Sequence, residues 1–571
     1  MSAGGRWSQG QLVLLALLFA GVLTGAVAER SDRLAEARSA LRKPYAHRGD
    51  FPGDKTLRLL VEQGILHPFP LNRAVASQRP FIHARRTDAR SEYGPMHLFG
   101  VPATAPSLYP SATNLPPDAL TARVPVISVA INPGDHQSIL SSPSRRGRQT
   151  ERAVFVSYLE PGELPVSFSA GLRLHGGRSR RGSAKKSYRL YLRPEHGTAS
   201  LPTGLFFSRN DPPDPPALSR LVLHNDSRFD NFDRDWRLVN PMAYEIARRV
   251  GAQTPRTRPV RFYLNGEAQG TYVLTEYLDA TYFESRLGHP DFTMSRTKHD
   301  PGGSRLETGD DEAYADFIHL SRHTAEASLE EIAAAVDIDN LFKWFASVLI
   351  CGTDDFLQGP MVLDQSEPGA KWFWVNWDMD HSFMSAGSRT LEEPWTFNLL
   401  REVGRIDKPR ARLLKRLFRD EKQRAEFLRL YSESMNHRVT PPFLEELVDR
   451  YEALAEDLGI EERSYFEHLR RFLDHRPERV RWQLNARLAA GEVRRAQVTV
   501  PPGRSLEIDG YAWPADYAGR YFDGQRVRVA VAADDRANFS HWLVNGEEVG
   551  QEGDTLQWVL HADTRIEPVF R

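Results

Sequence analysis

The chain has almost no cysteine. Cys351 is the only one in 571 residues, so no disulfide can form within the chain and a zinc site built from several cysteines is excluded. Surplus charge is also missing, because 74 Lys and Arg balance 75 Asp and Glu to a formal net charge of -1. We therefore expect no nucleic-acid partner, although local basic patches remain possible. The 41% apolar and 26% charged residues are typical of a soluble globular protein and exclude a disordered chain or a membrane bundle.

Long apolar runs are missing from the body of the chain, and the one candidate lies at its N-terminus. Residues Trp7 to Ala28 carry no charge after Arg6, and the last part of this run is dense in Leu, Val and Ala. It ends in Ala26-Val27-Ala28, so residues 1–28 are predicted to be a secretory signal peptide. An uncleaved N-terminal anchor is the alternative, which would be the only membrane contact. Both interpretations predict an extracytoplasmic body that is secreted, periplasmic or attached to the cell envelope.

The composition and the hydrophobic periodicity of the sequence change three times after this segment. Residues 29–120 are irregular and rich in Pro, His and Arg. From Val124 to about residue 280 the apolar residues alternate as in strands, and Asn265-Gly266 is a hairpin signal. Helical periodicity dominates from about Asp310 to residue 490, and residues 496–571 return to short strands separated by turns. The tail resembles the small β-repeat domains of bacterial surface proteins, in which a segment like Trp542–Gly546 recurs.

A glycine-rich, basic hairpin is the first segment that could carry chemistry. Residues 171–200 hold eight Lys and Arg against one acidic residue, and Gly176 and Gly177 stand between two predicted strands. Glycines let backbone amides approach a phosphate, and the basic residues supply the countercharge. A solvated basic hairpin without a ligand is the alternative.

Strand alternation separates the two lysines of this hairpin. Lys186 shares a face with Tyr188 and two leucines, whereas Lys185 shares the other face with Arg189 and Tyr191. The face with Tyr188 and the leucines is predicted to be buried. A lysine on a buried face needs a partner, for which we expect a carboxylate or a phosphate.

Two acidic segments follow apolar elements. Gly352–Gln358 comes after an apolar helix and contains Asp354 and Asp355, which could serve as base and metal ligand or simply cap a turn. Asp378 and Asp380 leave the aromatic strand Trp372–Trp377. On an extended chain both would project from one face, about 7 Å apart, and could bind one hard cation. A turn after a core strand is the alternative for that pair.

These segments occur in the order found in protein-kinase-like enzymes, and the sequence resembles the spore coat protein H (CotH) kinase-like family. The resemblance covers about residues 124–490 and rests on several stretches taken together. They are His175–Arg180 with Lys186–Arg189, Asn240–Gly251, Thr257-Arg258, Tyr263–Glu276, Gly352–Gln358 and Trp377–Asp380.

The resemblance implies a fold and a set of site residues. The fold is α+β, with a two-lobed protein-kinase-like domain at 121–490 followed by a small all-β domain at 496–571. Asp354 matches the catalytic-loop aspartate, and Lys186 the lysine that binds nucleotide phosphates. The other matched positions are Gly176, Gly177, Ser179 and Glu276 for the nucleotide, and Asp378, Asp380 and Gln358 for the metal.

Two of these positions carry an open question. Gln358 stands where the family more often has Asn, with the same amide oxygen on a longer stem. For the ion-pair partner of Lys186, Glu276 and Glu245 are both candidates, and the sequence does not choose between them.

The expected function is that of an extracytoplasmic protein kinase that uses ATP and Mg²⁺. It would transfer the γ-phosphate to Ser, Thr or Tyr hydroxyls of a protein substrate. Mn²⁺ in place of Mg²⁺ is left open. A non-catalytic surface or envelope scaffold that keeps the fold is the main alternative. A metal-dependent hydrolase built on the same carboxylates is the third, and it would leave the basic hairpin unexplained.

Overall fold

The computed structural model describes residues 119, 122–163, 165–177, 179–207, 218–225, 238–297, 304–383, 393–460, 464–550 and 553–571. The predicted signal peptide at 1–28 lies outside these residues, and so does the segment 29–120 apart from Ala119. Across the described ranges, none of the helices combines the length and the apolar character that crossing a membrane requires.

Strands and helices both occur throughout the described chain. The strands are β1 Val126–Ile131, β2 Arg152–Leu159, β3 Val166–Leu174, β4 Tyr188–Tyr191, β5 Arg220–His224, β6 Thr257–Leu264, β7 Glu267–Glu276, β8 Phe292–Thr297, β9 Ser304–Thr308, β10 Gly359–Asp364, β11 Trp372–Trp374, β12 Val493–Val498, β13 Leu506–Ile508, β14 Tyr511–Trp513, β15 Tyr517–Phe522, β16 Arg526–Val531, β17 Phe539–Val544, β18 Glu547–Val549, β19 Thr555–Val559 and β20 Thr564–Phe570. The helices are α1 Pro133–Ser141, α2 Ser179–Gly182, α3 Val239–Val250, α4 Ala280–Leu287, α5 Asp311–Arg322, α6 Leu329–Ala335, α7 Ile338–Cys351, α8 Leu399–Arg405, α9 Pro409–Leu417, α10 Glu421–Glu433, α11 Pro441–Leu458 and α12 Ser464–Leu488.

The chain divides into two compact units. The first unit comprises Met1–Pro241, Pro255–Pro290 and Glu452–Glu462, and the second comprises Met242–Thr254, Asp291–Tyr451 and Arg463–Arg571. The predicted α+β class is confirmed, because helices and sheets are both present. The two-lobed arrangement and the separate status of the β tail stay predictions.

A closed barrel of seven strands forms the centre of the first unit. The strand order is β1-β2-β3-β4-β5-β7-β6, and the parallel pairing of β1 with β6 closes the ring. Its core contains aliphatic and aromatic side chains, among them Val129, Leu172 and Phe262, all at 0% exposure. Closure satisfies the backbone donors and acceptors that an open sheet would leave at its edges.

The hairpin predicted at Asn265-Gly266 is confirmed between β6 and β7. Both residues have positive φ, at 51° and 84°, as the tight turn of a two-residue hairpin requires. The Asn265 side chain also accepts a 2.8 Å hydrogen bond from the backbone N–H of Ile131, which ties the turn to the end of β1.

The buried face predicted for the lysine-containing strand is also confirmed. Tyr188, Leu190 and Leu192 all belong to the barrel core. Strand β4 begins at Tyr188, so Lys186 itself lies two residues before the strand. The backbone carbonyls just before β4 accept hydrogen bonds from side chains. Asn225 Nδ2 donates to Lys185 O at 2.6 Å, and Tyr272 Oη donates to Lys186 O at 2.8 Å.

The second unit is organised around the apolar helix α7. The helix is capped by the Asp337 carboxylate, which accepts from the N–H of Asn340 at 2.9 Å, and it is buried from Trp344 to its end. A four-stranded sheet in the order β11-β10-β8-β9 belongs to the same unit. The predicted aromatic strand Trp372–Trp377 corresponds to the shorter β11, which pairs with β10.

The C-terminal strands form two sheets, β15-β12-β20-β17-β18 and β14-β13-β16-β19, around a core of their own that includes Trp542. Strand β12 begins at Val493, three residues before the predicted start of the β domain at residue 496. Residues 489–492 form the connection instead, with Ala489 and Gly491 at positive φ. His437, from the π-helical turn Ser434–Arg438, stacks between the rings of Tyr511 and Tyr517 at 4.6 and 5.3 Å.

A buried carboxylate, Glu151, lies just before β2 and holds several cationic side chains of the first unit. Its Oε1 accepts from His196 Nε2 at 2.8 Å and from Arg193 Nε at 3.1 Å. Burial by itself raises the pKa of Glu151, but the His196 hydrogen bond and the charges of Arg193 and Arg173 outweigh it and lower that pKa. Gly171 makes room for the pair, since a Cβ there would lie 2.5 Å from Glu151 Oε1.

Replacement of Glu151 should destabilise the first unit in a pH-dependent way. Because the folded-state pKa is lowered, the carboxylate contributes stability above its unfolded pKa and loses it as the pH falls through the folded one. We expect Glu151→Gln to lower the free energy of unfolding by about 3 kcal/mol at pH 7, and by much less below about pH 4. Denaturant titration across pH measures the difference. Glu160→Gln, at a more exposed ion pair with Arg258, is the control and should cost less than about 1 kcal/mol.

Candidate active site

The segment with Asp354 begins where α7 ends. Gly352 terminates the helix in the left-handed region, at φ 64°, and its N–H donates back to Leu349 O. A Cβ on Gly352 would lie 3.0 Å from Phe472 Cζ, so glycine is favoured by both the conformation and the space. Asp354 follows two residues later and is about a quarter exposed, at 23%.

The segment with Asp378 begins where β11 ends. The side-chain amide of Asn340 holds Trp374 at both backbone groups, accepting from its N–H at 2.7 Å and donating to its carbonyl at 3.1 Å. Asn376 N–H donates to Gln253 O at 2.8 Å. The chain then turns at Asp378, which has φ 61° and donates its N–H to Tyr244 Oη at 2.9 Å.

That turn corrects the expected geometry of the two aspartates. An extended chain through Asp378 and Asp380 was predicted, with about 7 Å between the residues along the strand. Instead the backbone leaves the strand before Asp378, and one carboxylate oxygen of each residue comes within 4.8 Å of the other. The two carboxylates can therefore approach one cation although the backbone between them is not extended.

Three contacts join the two segments within the second unit. Phe383 N–H donates to Cys351 O at 2.7 Å, and the hydroxyls of Thr353 and Ser382 are 2.7 Å apart. His381 Nδ1 lies 2.9 Å from Asp354 Oδ1. The structure thus brings Asp354 together with the loop that carries Asp378 and Asp380. These two residues follow Asp354 by 24 and 26 positions in the sequence.

Two buried arginines hold the backbone on either side of the Asp354 segment. Arg476 donates to Leu349 O at 2.7 Å and also binds Trp395 O and Phe397 O. Arg410 donates to the carbonyls of Gln358 and Gly359, both at 3.0 Å. Burial lowers the pKa of Arg476 to about 10 and that of Arg410 to about 9, so both remain cationic at neutral pH.

Gln358 lies at the end of this segment and binds Asp355. Its Nε2 donates to Asp355 Oδ2 at 2.7 Å. The amide oxygen is then the atom of this side chain that could coordinate a cation. Carboxylate and amide oxygens are the ligand types that Mg²⁺ takes from proteins. The oxygens of Asp378, Asp380 and Gln358 therefore fit that ion in chemical type.

The residues predicted to bind nucleotide phosphates lie in the first unit, between β3 and β4. Gly176 has φ 98°, Gly177 follows it, and Ser179 begins α2. Lys186 Nζ donates to the carbonyls of Arg180, at 3.1 Å, and Ser183. Among the described residues its partners are therefore backbone carbonyls at the end of α2, and a carboxylate does not take the place that the alternation allowed for one.

The two candidate partners of Lys186 bind arginines. Glu276 is fully buried and accepts from the backbone N–H of Arg256 at 2.7 Å and from its guanidinium at 2.8 and 3.1 Å. Glu245 accepts from Arg450 at 2.6 Å and from Tyr451 Oη at 2.6 Å. Glu276 therefore acts as a structural anchor between the start of β6 and the end of β7.

Sequence reasoning missed three residues of this region. His381 directly follows the predicted metal segment, and its adjacency to Asp380 was a usable signal. Arg410 and Arg476 lie on helices that contain several other arginines, so no local pattern separates them from their neighbours.

A comparison with protein-family models identifies the family of the chain. The family model described as CotH kinase protein matches residues 172–475, slightly more than half of the chain. A search of curated proteins found no match.

Removal of Arg410 should loosen the Asp354 segment. Arg410→Met keeps most of the side-chain volume but leaves the carbonyls of Gln358 and Gly359 without their donor, and each loss costs about 1–3 kcal/mol. We expect a clear drop in the melting temperature, measured by calorimetry. Arg412→Met, two residues along α9 at an ion pair with Asp407, is the matched control and should stay within about 1 kcal/mol. Equal effects of the two substitutions would contradict this role for Arg410.

Proposed function

Because the chain belongs to the CotH kinase family, we propose that it is an extracytoplasmic, Mg²⁺-dependent phosphotransferase. Its substrates would be ATP and a protein hydroxyl of Ser, Thr or Tyr. The observation that carries the proposal is the joining of the Asp354 segment to the loop with Asp378 and Asp380 through three consecutive contacts. A base and a metal site on adjoining segments are what phosphoryl transfer requires.

Asp354 would orient the acceptor hydroxyl and take its proton. The carboxylate is partly exposed, at 23%, and its Oδ1 lies 2.9 Å from His381 Nδ1. A hydrogen bond from His381 holds that oxygen and leaves Oδ2 for the hydroxyl. His381 is thus a positioning residue for Asp354.

Asp378, Asp380 and the Gln358 amide oxygen would hold the metal. When bound there, Mg²⁺ would neutralise the negative charge of the transferred phosphate group. The protein supplies the closely spaced carboxylates, and the Tyr244 hydroxyl fixes the backbone of Asp378.

Lys186, Gly176, Gly177 and Ser179 would bind the nucleotide phosphates. The ammonium of Lys186 already has two oxygen acceptors, the carbonyls of Arg180 and Ser183. In this role it exchanges one neutral acceptor for a charged phosphate oxygen, a stronger partner. Glu276 contributes indirectly, because it anchors the barrel strands through Arg256.

The proposed roles predict different effects for two Asp→Asn substitutions. Asp378→Asn should weaken Mg²⁺-dependent ATP binding by more than about 100-fold, because a metal ligand acts in the bound ground state. Asp354→Asn should leave binding nearly unchanged and reduce phosphate transfer by about 10²–10⁴-fold, because its carboxylate acts on the hydroxyl. Calorimetry with ATP and Mg²⁺ measures the first effect, and a radiolabelled autophosphorylation assay the second.

Asp339→Asn provides the control, since Asp339 is an exposed carboxylate at the start of α7 that pairs with Lys343. It should match wild type in both assays. If wild type binds no nucleotide and Asp378→Asn is indistinguishable from it, the kinase proposal fails.

A non-catalytic surface or envelope module is the second candidate. One observation favours it. The family more often has Asn at position 358, and here the amide of Gln358 donates a hydrogen bond to Asp355. On this alternative the β tail, with its own core, would bind a wall component or a partner.

Replacement of Gln358 separates the two candidates further. If the amide oxygen serves the metal, Gln358→Asn keeps that ligand atom and should retain or raise transfer activity. Gln358→Leu removes it, and should lower the affinity for Mg²⁺ by about tenfold or more. Titration of ATP binding against Mg²⁺ measures both variants. Equal Mg²⁺ dependence in wild type and Gln358→Leu would exclude Gln358 as a ligand.

A further inference from the structure

The two sheets of the C-terminal strands differ in how their open edges are protected. The strands at these edges are β14, β15, β18 and β19. An edge strand carries N–H and C=O groups that can pair with a strand of another molecule, unless the edge is short, charged or covered. The protection of each edge therefore indicates which of them can bind a further strand.

Three of these edges have a visible protection. Strand β15 is covered by Asn436, whose side-chain amide accepts from Arg520 N–H and donates to Arg520 O, both at 3.0 Å. Strand β18 has three residues, of which Glu547 and Glu548 are charged. Strand β14 also has three residues. A covering side chain, charge or short length thus disfavours further pairing at each of these edges.

Strand β19 differs from the other three edge strands. Its five residues, Thr555–Val559, include no charged residue and no proline. Its register with β16 runs without a bulge, and β16 is its one strand partner in the described part of the chain. Val559 is 36% exposed, one of two large apolar side chains exposed among the described residues. A regular, uncharged edge of this kind is a template for another strand.

Hydrogen bonds at the two ends of β19 show which of its backbone groups point away from β16. Asp554 O accepts from Val531 N–H at 2.9 Å, and Leu560 N–H donates to Gln525 O at 2.8 Å. Backbone groups of an antiparallel strand point alternately to its two sides, so the even-numbered positions between these two bonds also face β16. The odd-numbered positions face the open edge, and they are Thr555, Gln557 and Val559.

The side chains of the strand alternate in the same way between the core and the outer face. Leu556 is buried in the core of the C-terminal strands, and Trp558 packs against it. Gln557 and Val559 are exposed. The residues whose backbone faces the open edge therefore also present their side chains on the outer face of the sheet.

We propose that β19 pairs with β19 of a second copy of the chain, antiparallel and centred on Gln557. In this register Gln557 stands opposite Gln557 of the partner subunit, and Thr555 stands opposite the partner's Val559. All three outward-facing residues then form hydrogen-bonded pairs, each of which exchanges two N–H···O=C bonds. A shift of the register by two residues in either direction would lose one of these pairs.

The outer-face side chains complement themselves in this register. An antiparallel pair of identical strands has a two-fold axis, so the same patch serves both subunits. On that axis one amide meets another, and the two can hydrogen-bond, while β-branched Thr555 meets β-branched Val559. Such cross-strand pairs stabilise a sheet. This self-complementarity identifies a second copy as the partner of β19.

Charge does not oppose the pairing. Arg528 on β16 stands opposite Gln557 and forms an ion pair with Glu507. Between the Arg528 residues of the two subunits there would be three strand spacings, about 14 Å, which exceeds the Debye length at physiological salt. The like charges nearest to the joint are therefore screened as well as paired.

The dimer should be weak and reversible. Two edges of five residues bury less surface than the roughly 1,200 Å² of a standard stable interface, so we expect a Kd of about 10⁻⁵–10⁻⁴ M. The pairing uses none of the residues assigned to phosphate transfer. It is measured without nucleotide, so its outcome is independent of the proposed activity.

Sedimentation of the full chain between about 1 and 300 µM tests the proposal. The average mass of wild type should rise from that of a monomer towards that of a dimer. Gln557→Lys places like charges face to face on the two-fold axis and should weaken the dimer by about tenfold or more. Gln497→Lys is the matched control, because Gln497 is exposed on β12, which lies between two other strands. It should dimerise as wild type does.

Charge complementation tests the register itself. Gln557→Glu should weaken the dimer as Gln557→Lys does, and an equimolar mixture of the two variants should restore it, because position 557 faces itself only in the proposed register. Melting temperatures measured at the lowest concentration should lie within about 2 °C of wild type, since the substituted side chain is exposed. That result shows that the variants are folded.

Amide hydrogen exchange gives a second measurement on wild type. Raising the concentration should slow exchange at Thr555, Gln557 and Val559, whose N–H groups enter the joint. Exchange at Leu556 and Trp558, already bonded to β16, should stay unchanged.

Three results would overturn the proposal. The first is a wild type that stays monomeric at the highest concentration, which would leave this edge to a strand of another protein. The second is equal association of Gln557→Lys and wild type, which would assign the association to another surface. The third is a mixture of the Lys and Glu variants that remains monomeric.

Discussion

The candidate active site depends on backbone carbonyls that are held by buried guanidinium groups. Arg476 binds Leu349 O in the last turn of α7, and Arg410 binds the carbonyls of Gln358 and Gly359 where β10 begins. Helix ends and strand starts leave carbonyls without partners, and a guanidinium offers five donors in one plane. The segment that carries Asp354 is therefore fixed at both ends by side chains from α9 and α12.

The loop after β11 is joined to this segment by hydrogen bonds, and its backbone adopts conformations that an unsupported loop would rarely keep. Asp378 and Phe383 have φ near 60°, unusual for residues other than glycine. Gly359 packs so closely that a Cβ would lie 2.8 Å from Val375 O. These positions persist because several contacts define them at once, and they place the two carboxylates of Asp378 and Asp380 close together.

The sequence predicted those features whose cause is local. Asn265-Gly266 specifies a hairpin by the conformation of two residues, and the alternation of Tyr188, Leu190 and Leu192 specifies a buried face. Long-range partners were not predictable in the same way. Lys186 was expected to need a partner, and nothing in the sequence indicated that the carbonyls of Arg180 and Ser183, at the end of α2, would accept from it. The joining of the Asp354 and Asp378 segments came from the family resemblance, since no spacing rule connects them.

Arginine has two different roles in this chain, and the difference lies in the surroundings of the charge. Arg410 is completely buried and also has an Nε without an acceptor among the described residues, yet its two terminal nitrogens bind carbonyls. It lies 4.9 Å from the ring centroid of Trp344, and its lowered pKa comes from burial alone. Among the described residues Arg180 donates to one carbonyl, that of Arg145, and like charges lie near it. A guanidinium whose donors meet neutral acceptors stabilises the fold by itself, whereas neighbouring cations disfavour the charged form of one placed among them.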